Sequence, residues 1–264
     1  MGATATRYVA RGHSLAYHAS SKKLDARRFI AECWRAVAGQ SSIPQDRQYW
    51  TLCGRMAPNG ILQEGSELCQ LEALGLFQPS QFVGVERMAR WQTENQQAVR
   101  QRYAPSGQPV LLSGDIIDAL QTYQVAGKLA ASIINLDTPN EACPSNVPLL
   151  WRTLNFLNHV DGPTMVVWNA ISWRQFPRTG RYPWDAQDES AHGGRVLGYV
   201  RDTLCKDMRF AEAYRHGWDM FPEGAKAYRA ARYDGTSTRS QTEMTMYVFV
   251  RRRRACKDGC KCSG

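Results

Sequence analysis

Three short apolar runs, each delivering an acidic side chain at its carboxyl end, constrain this chain more than any other feature. Residues 82–86 read Phe-Val-Gly-Val-Glu and end at Glu86, residues 110–115 read Val-Leu-Leu-Ser-Gly-Asp and end at Asp115, and residues 131–137 read Ala-Ser-Ile-Ile-Asn-Leu-Asp and end at Asp137. Continuous apolar runs of this length suit strands buried on both faces, the condition found in parallel sheets. Between them lie helix-length segments, 87–103 and 116–125, so the order alternates strand and helix and predicts a parallel sheet with helices on both faces. In such a sheet the ligand crevice opens outside the carboxyl ends of the strands, where the order reverses. The three carboxylates are therefore placed for ligand contact. The alternative for Asp115 and Asp137 is helix capping, which aspartate does well.

The rest of the chain extends the pattern. Residues 24–38 form an amphipathic helix stopped by Gly39, and 49–54 read as a strand. A loop rich in glycine follows, and Ser66 is the expected N-cap of a helix through Leu74. Helix 146–160 precedes an apolar strand from Thr164 to Ile171, residues 174–186 are loop-like, and an amphipathic stretch follows Gly193-Gly194 up to about Trp218. The last elements, 225–233 and 243–250 around a turn at Asp234-Gly235, read as an antiparallel hairpin at the sheet edge. The organisation is an N-terminal arm and helix over 1–44, a main domain over 45–252 and a basic cysteine-containing tail over 253–264.

Composition sets the surroundings. With 43% hydrophobic and 22% charged residues in 264, the chain is long enough for one full globular core. No apolar run has the length of a membrane span and residues 1–4 lack a secretory pattern, so the expected location is intracellular, in the cytoplasm, without a membrane partner. A net charge of +9 favours polyanions, with Arg251–Arg254 and Lys22, Lys23, Arg27 and Arg28 as basic ends able to meet the phosphates of nucleic acid. The eight cysteines lack a disulfide framework, and Cys256, Cys260 and Cys262 lack the fourth ligand and paired spacing of a zinc site, so no metal is expected. Phosphate-loop, nucleophile-elbow and zinc-protease motifs are all missing.

Taken together these runs resemble a class I S-adenosylmethionine-dependent methyltransferase over about residues 45–252. The resemblance implies an α/β fold: a mostly parallel, Rossmann-like sheet with helices on both faces and an antiparallel C-terminal hairpin. It implies S-adenosylmethionine as cofactor, with Gly54 and Gly65 in the turn at its methionine end, Glu86 on the ribose hydroxyls and Asp115 beside the adenine. It also places Asp137, Pro139 and Asn140 where amino methyltransferases grip the target amine, in an Asp/Asn-Pro-Pro-aromatic motif. Here the motif reads Asp137-Thr138-Pro139-Asn140, with Trp168, Trp173 or Trp184 available as a stacking face, and Gly54, Gly60 and Gly65 are widely spread. The function implied is methyl transfer to nucleic acid. The departures support an alternative, a catalytically inactive, nucleic-acid-binding or virion-associated structural protein of the same fold, and a third reading has a protein or small-molecule acceptor.

Overall fold

The computed structural model describes residues 21–141, 147–171, 208–231 and 241–251. Seven strands form one sheet: β1 (Gln48–Leu52), β2 (Phe82–Glu86), β3 (Val110–Ser113), β4 (Ala131–Glu141), β5 (Thr164–Ile171), β6 (Trp218–Ala231) and β7 (Gln241–Arg251). Six described helices accompany them: α1 (Ser21–Ala38), α2 (Glu67–Ala73), α3 (Ala89–Arg102), α4 (Ile116–Val125), α5 (Val147–Leu157) and α6 (Met208–Arg215). The strand order is β3-β2-β1-β4-β5-β7-β6. Strands β1 to β5 pair in parallel, whereas β7 runs antiparallel to both β5 and β6.

Strand alternation sorts the core into two layers. Trp50, Val83, Val85, Ile134, Leu136, Val166 and Trp168 pack with α4, α5 and α6 on one face. Tyr49, Phe82, Ile133, Met165 and Val167 pack with α1, α2 and α3 on the other. Gly84 permits close approach within the second layer: an added Cβ would lie 2.9 Å from Leu111 and Phe82 side-chain atoms and 3.0 Å from Cys53 Cβ.

The expected α/β sheet is present, with three differences of detail. Strand β4 continues four residues beyond Asp137, through Pro139 to Glu141, because a register irregularity between Asp137 and Glu141 takes the proline out of regular pairing. Trp218 opens a strand instead of closing a helix, since Gly217 at φ +87° ends α6 immediately before it. The final pair is also longer than expected, with β6 starting at Trp218 and itself running parallel to β1–β5.

Helix α1 belongs to the same core, with Trp34 and Ile30 buried among the residues of α2 and the strands. The N-terminal arm before residue 21, the loop at 174–186, Trp173, Trp184, Arg252–Arg254 and the tail cysteines lie outside the described residues. No described helix is long and apolar enough to cross a membrane.

Candidate functional site

The strand order reverses direction between β1 and β4, so the crevice predicted by topology lies at their carboxyl ends. Among the described residues on that edge, Glu86, Asn135, Asp137 and Asn169 lie on the α1–α3 face, while Asp115 heads α4 on the other.

Glu86 ends β2 and is buried, with 7% of its surface exposed. Its carboxylate accepts a hydrogen bond from the Met88 amide at 2.7 Å. Burial raises its pKa above the ordinary glutamate value, opposed by the Met88 and Arg87 amides and by the Arg87 charge. Among the described residues it forms no ion pair. A carboxylate offers about four lone-pair sites, so two backbone donors leave room for a vicinal diol.

The loop from Cys53 to Ser66 occupies the space beside it. Gly54 has φ +57°, a conformation natural to glycine, and a Cβ built there would meet no atom within 4 Å. Asn95 of α3 accepts from the Ala57 amide at 3.0 Å and donates to the Gly54 carbonyl at 2.7 Å. Arg55 pairs with Glu94 through two contacts of 2.6 and 3.1 Å. Further along, Gly65 offers its carbonyl to Arg27 at 2.6 Å, and Glu64 pairs with Arg102. Helices on either side thus fix the loop. Cys53 lies between the neighbouring carboxylates: burial pushes its thiol pKa up, and the negative charges of Glu86 and then Glu67 act in the same direction.

Beneath the switch point runs a buried polar ladder that sequence reasoning missed. Tyr49 donates to Glu67 at 2.5 Å, Asn135 donates to the same oxygen at 3.0 Å, and Asn169 donates to Asn135 at 2.6 Å. The ladder links β1, α2, β4 and β5. Thr51, the cross-strand neighbour of Asn135, is fully buried and its hydroxyl has no partner among the described residues. Burial, reinforced by Glu67, raises the Tyr49 pKa, so the phenol stays protonated and acts as donor. Asparagines inside the apolar runs 131–137 and 164–171 were the available signal.

The candidate residues fare differently. Glu86 and Gly54 sit side by side at the ends of β2 and β1, with Gly54 backbone-linked through Asn95 and Cys53 bonded to the Val85 carbonyl at 3.1 Å. Asp115 is the N-cap of α4, accepting from the Ile117 amide at 2.9 Å, so the capping alternative describes it. Gly65 lies at the far end of the loop, just before the Ser66 cap of α2. Asp137 is on the same sheet edge but faces α1, with Lys23 Nζ 3.6 Å away. Pro139 and Asn140 fall in the irregular stretch of β4, and their side chains lie outside the described residues. Trp168 is fully buried on the opposite face, with its ring centroid 5.7 Å from that of Tyr247, and provides no stacking surface.

The basic ends are also partly consumed by packing. Lys23 and Arg27 are buried, and Arg251 bonds the Asn158 and Val160 carbonyls beneath the Trp218 ring. Among the described residues no group of histidine, cysteine or acidic side chains is arranged to hold a metal.

No family model matches the chain, and no curated protein matches it in sequence. Solved structures do overlay on it. A SAM-dependent methyltransferase from Anabaena variabilis is 12% identical with a TM-score of 0.48, covering 89% of this chain and 87% of its own. A 16S rRNA (adenine(1408)-N(1))-methyltransferase from Catenulisporales acidiphilia is 15% identical with a TM-score of 0.41, covering 84% of this chain and 92% of its own. Identities and scores this low add nothing about substrate; the sheet order stands on this chain's own strand pairing. With five parallel strands, a reversed β7 inserted before β6, and helices on both faces, the fold of the protein is methyltransferase-like.

Proposed function

We propose that this protein is an S-adenosylmethionine-dependent methyltransferase that acts on nucleic acid. The observation that carries the reading is Glu86: a buried carboxylate without a cation partner among the described residues, at the end of the strand next to the switch point. Such a group is costly to keep unless something other than packing requires it. The residues present suit the cofactor's nucleoside end. Glu86 retains lone pairs for the ribose hydroxyls, and the open space over Gly54 leaves the end of β1 accessible. Gly65 does not join them, since Arg27 holds its carbonyl, and Asp115 has one oxygen committed to its cap.

The cofactor supplies an electrophilic methyl group with its own leaving group, so the protein's task is alignment and control of the acceptor's proton. In this reading Glu86 binds and orients, the Gly54–Ala57 backbone borders the sulfonium side, and Asp137 with the backbone around Pro139 and Asn140 receives the acceptor. Lys23 Nζ lies 3.6 Å from that Asp137 carboxylate and holds it at the sheet edge. Nucleic acid as the acceptor rests on the net charge of +9 and on exposed cations such as Arg35, Arg87, Arg90 and Arg152. Such binding weakens steeply with added salt as counterions are released.

A second reading, the inactive structural protein of the same fold, has one observation in its favour: the Asp137 carboxylate is already taken by Lys23. Calorimetry with S-adenosylhomocysteine separates the two. Micromolar binding by the wild type, weakened at least tenfold in Glu86→Ala, is the expected result; absence of heat in the wild type hands the case to the structural reading.

A further inference from the structure

We infer that Asn95 is the positioning residue of the cofactor loop, doing from a neighbouring helix what closely spaced glycines do within a loop. The inference rests on the cofactor-binding reading above. Between Cys53 and Ser66 the glycines at 54, 60 and 65 are too far apart to let the backbone fold tightly on its own account. The chain instead turns once at Gly54 and is then gripped from outside. Asn95 is fully buried, and its side-chain amide mimics a peptide unit: Oδ1 takes the Ala57 N–H at 3.0 Å while Nδ2 gives to the Gly54 carbonyl at 2.7 Å. One amide therefore fixes both ends of the four-residue turn.

The two residues flanking that grip strengthen it. Arg55, inside the turn, forms its paired contacts with Glu94, the residue before Asn95, and Arg90 one turn earlier holds the same carboxylate at 3.1 Å. On the same helix, Met88 at the N-cap of α3 gives its amide to Glu86. Helix α3 thus holds the ribose carboxylate with its N-cap residue and the loop with its second turn, so the two halves of the site are carried on one rigid element. Gln92, between these two points, is buried with neither amide atom partnered among the described residues, which leaves polar capacity along this seam. A loop held before the ligand arrives loses less conformational freedom on binding, and that difference appears as affinity.

The test pairs ligand affinity with a control matched in stability. S-adenosylhomocysteine is titrated by calorimetry into wild type, Asn95→Ala, Asn95→Asp and Leu154→Ala, with Tm recorded for each and deuterium exchange followed at the Ala57 amide in the ligand-free proteins. Asn95→Asp keeps the acceptor for Ala57 but turns an oxygen toward the Gly54 carbonyl. The expected result is a Kd raised at least tenfold in both Asn95 variants and faster exchange at Ala57, with Leu154→Ala binding as wild type despite a lowered Tm. Should Asn95→Ala fail to fold, Glu94→Gln loosens the same turn from the more accessible side and is expected to raise Kd by two- to fivefold. Wild-type affinity in the Asn95 variants, or in Glu94→Gln when it replaces them, overturns the inference while leaving the cofactor reading intact. No binding by the wild type overturns the cofactor reading and, with it, this one.

Discussion

On the face of the sheet covered by α4, α5 and α6, Trp50, Leu120, Leu154, Val166 and Trp168 meet in apolar contact. On the face covered by α1, α2 and α3, the same strands carry Glu86, Asn135, Asp137 and Asn169, with Lys23 pairing Asp137 and Glu67 accepting from Asn135, while Asn95 bonds the loop after β1. A buried polar group contributes little net stability even when paired and is expensive when left alone. The first face is mainly aliphatic and aromatic, its buried polar exceptions including the Trp151 and Trp168 indole N–H groups. The second accepts a series of polar burials, some paired and some, as at Thr51 and Gln92, without a partner among the described residues, and they cluster where the strand order turns. The asymmetry is what the proposed cofactor site at the switch point would require.

Substitutions on the two faces can break this contrast. The largest effect is expected from Leu154→Ala on the apolar face, a loss of about 2–5 kcal/mol by urea unfolding with no change in S-adenosylhomocysteine affinity; a weakened affinity would show that the faces are not separable. On the polar face, Asp137→Ala should cost about 2 kcal/mol because the Lys23 charge loses its carboxylate. The pair Lys23→Met with Asp137→Leu should recover most of that loss, and failure to recover it would mean that the ion pair is not where the instability arises. Gly84→Ala should cost about 1 kcal/mol through crowding against Cys53, Phe82 and Leu111, readable as a small drop in Tm.

The smallest effect is a pH-dependent one. Burial raises the Glu86 pKa in the native state, so the folded form prefers the protonated acid. The stability this preference brings is complete below the ordinary glutamate pKa of about 4.3 and is lost as pH rises through the raised native value. Glu86→Gln, always neutral, should therefore gain on the wild type from acid toward neutral pH while losing ligand affinity. Parallel unfolding curves across that range for the two proteins would contradict a buried, ligand-directed Glu86.

Legibility in the sequence followed the same division. Ile116–Val125 and Thr164–Ile171 are found at their expected bounds because local periodicity and turn residues define them. Ser66 caps α2 as expected, accepting from the Cys69 amide at 3.3 Å. The extension of β4 past Pro139 was hidden, since proline normally argues against a continuing strand and only the pairing with β5 shows how the irregularity absorbs it. Within the site, Glu86 was visible because a strand end announces it. Asn95 and Asn169 were not, because their partners lie 41 and 34 residues away, and no local pattern encodes such a pairing. Lys23 and Arg27 looked like surface charge for the same reason; their carboxylate and carbonyl acceptors are found only once the chain has folded.

The seating of α1 has a consequence for synthesis. This helix is among the first described elements to leave the ribosome, yet the surfaces it rests on include β5 and β6, which are translated more than a hundred residues later. Until they arrive, the helix lacks part of the surface it packs on in the finished fold. Contacts this distant in sequence slow folding, and apolar surface awaiting them in a nascent chain is where aggregation begins.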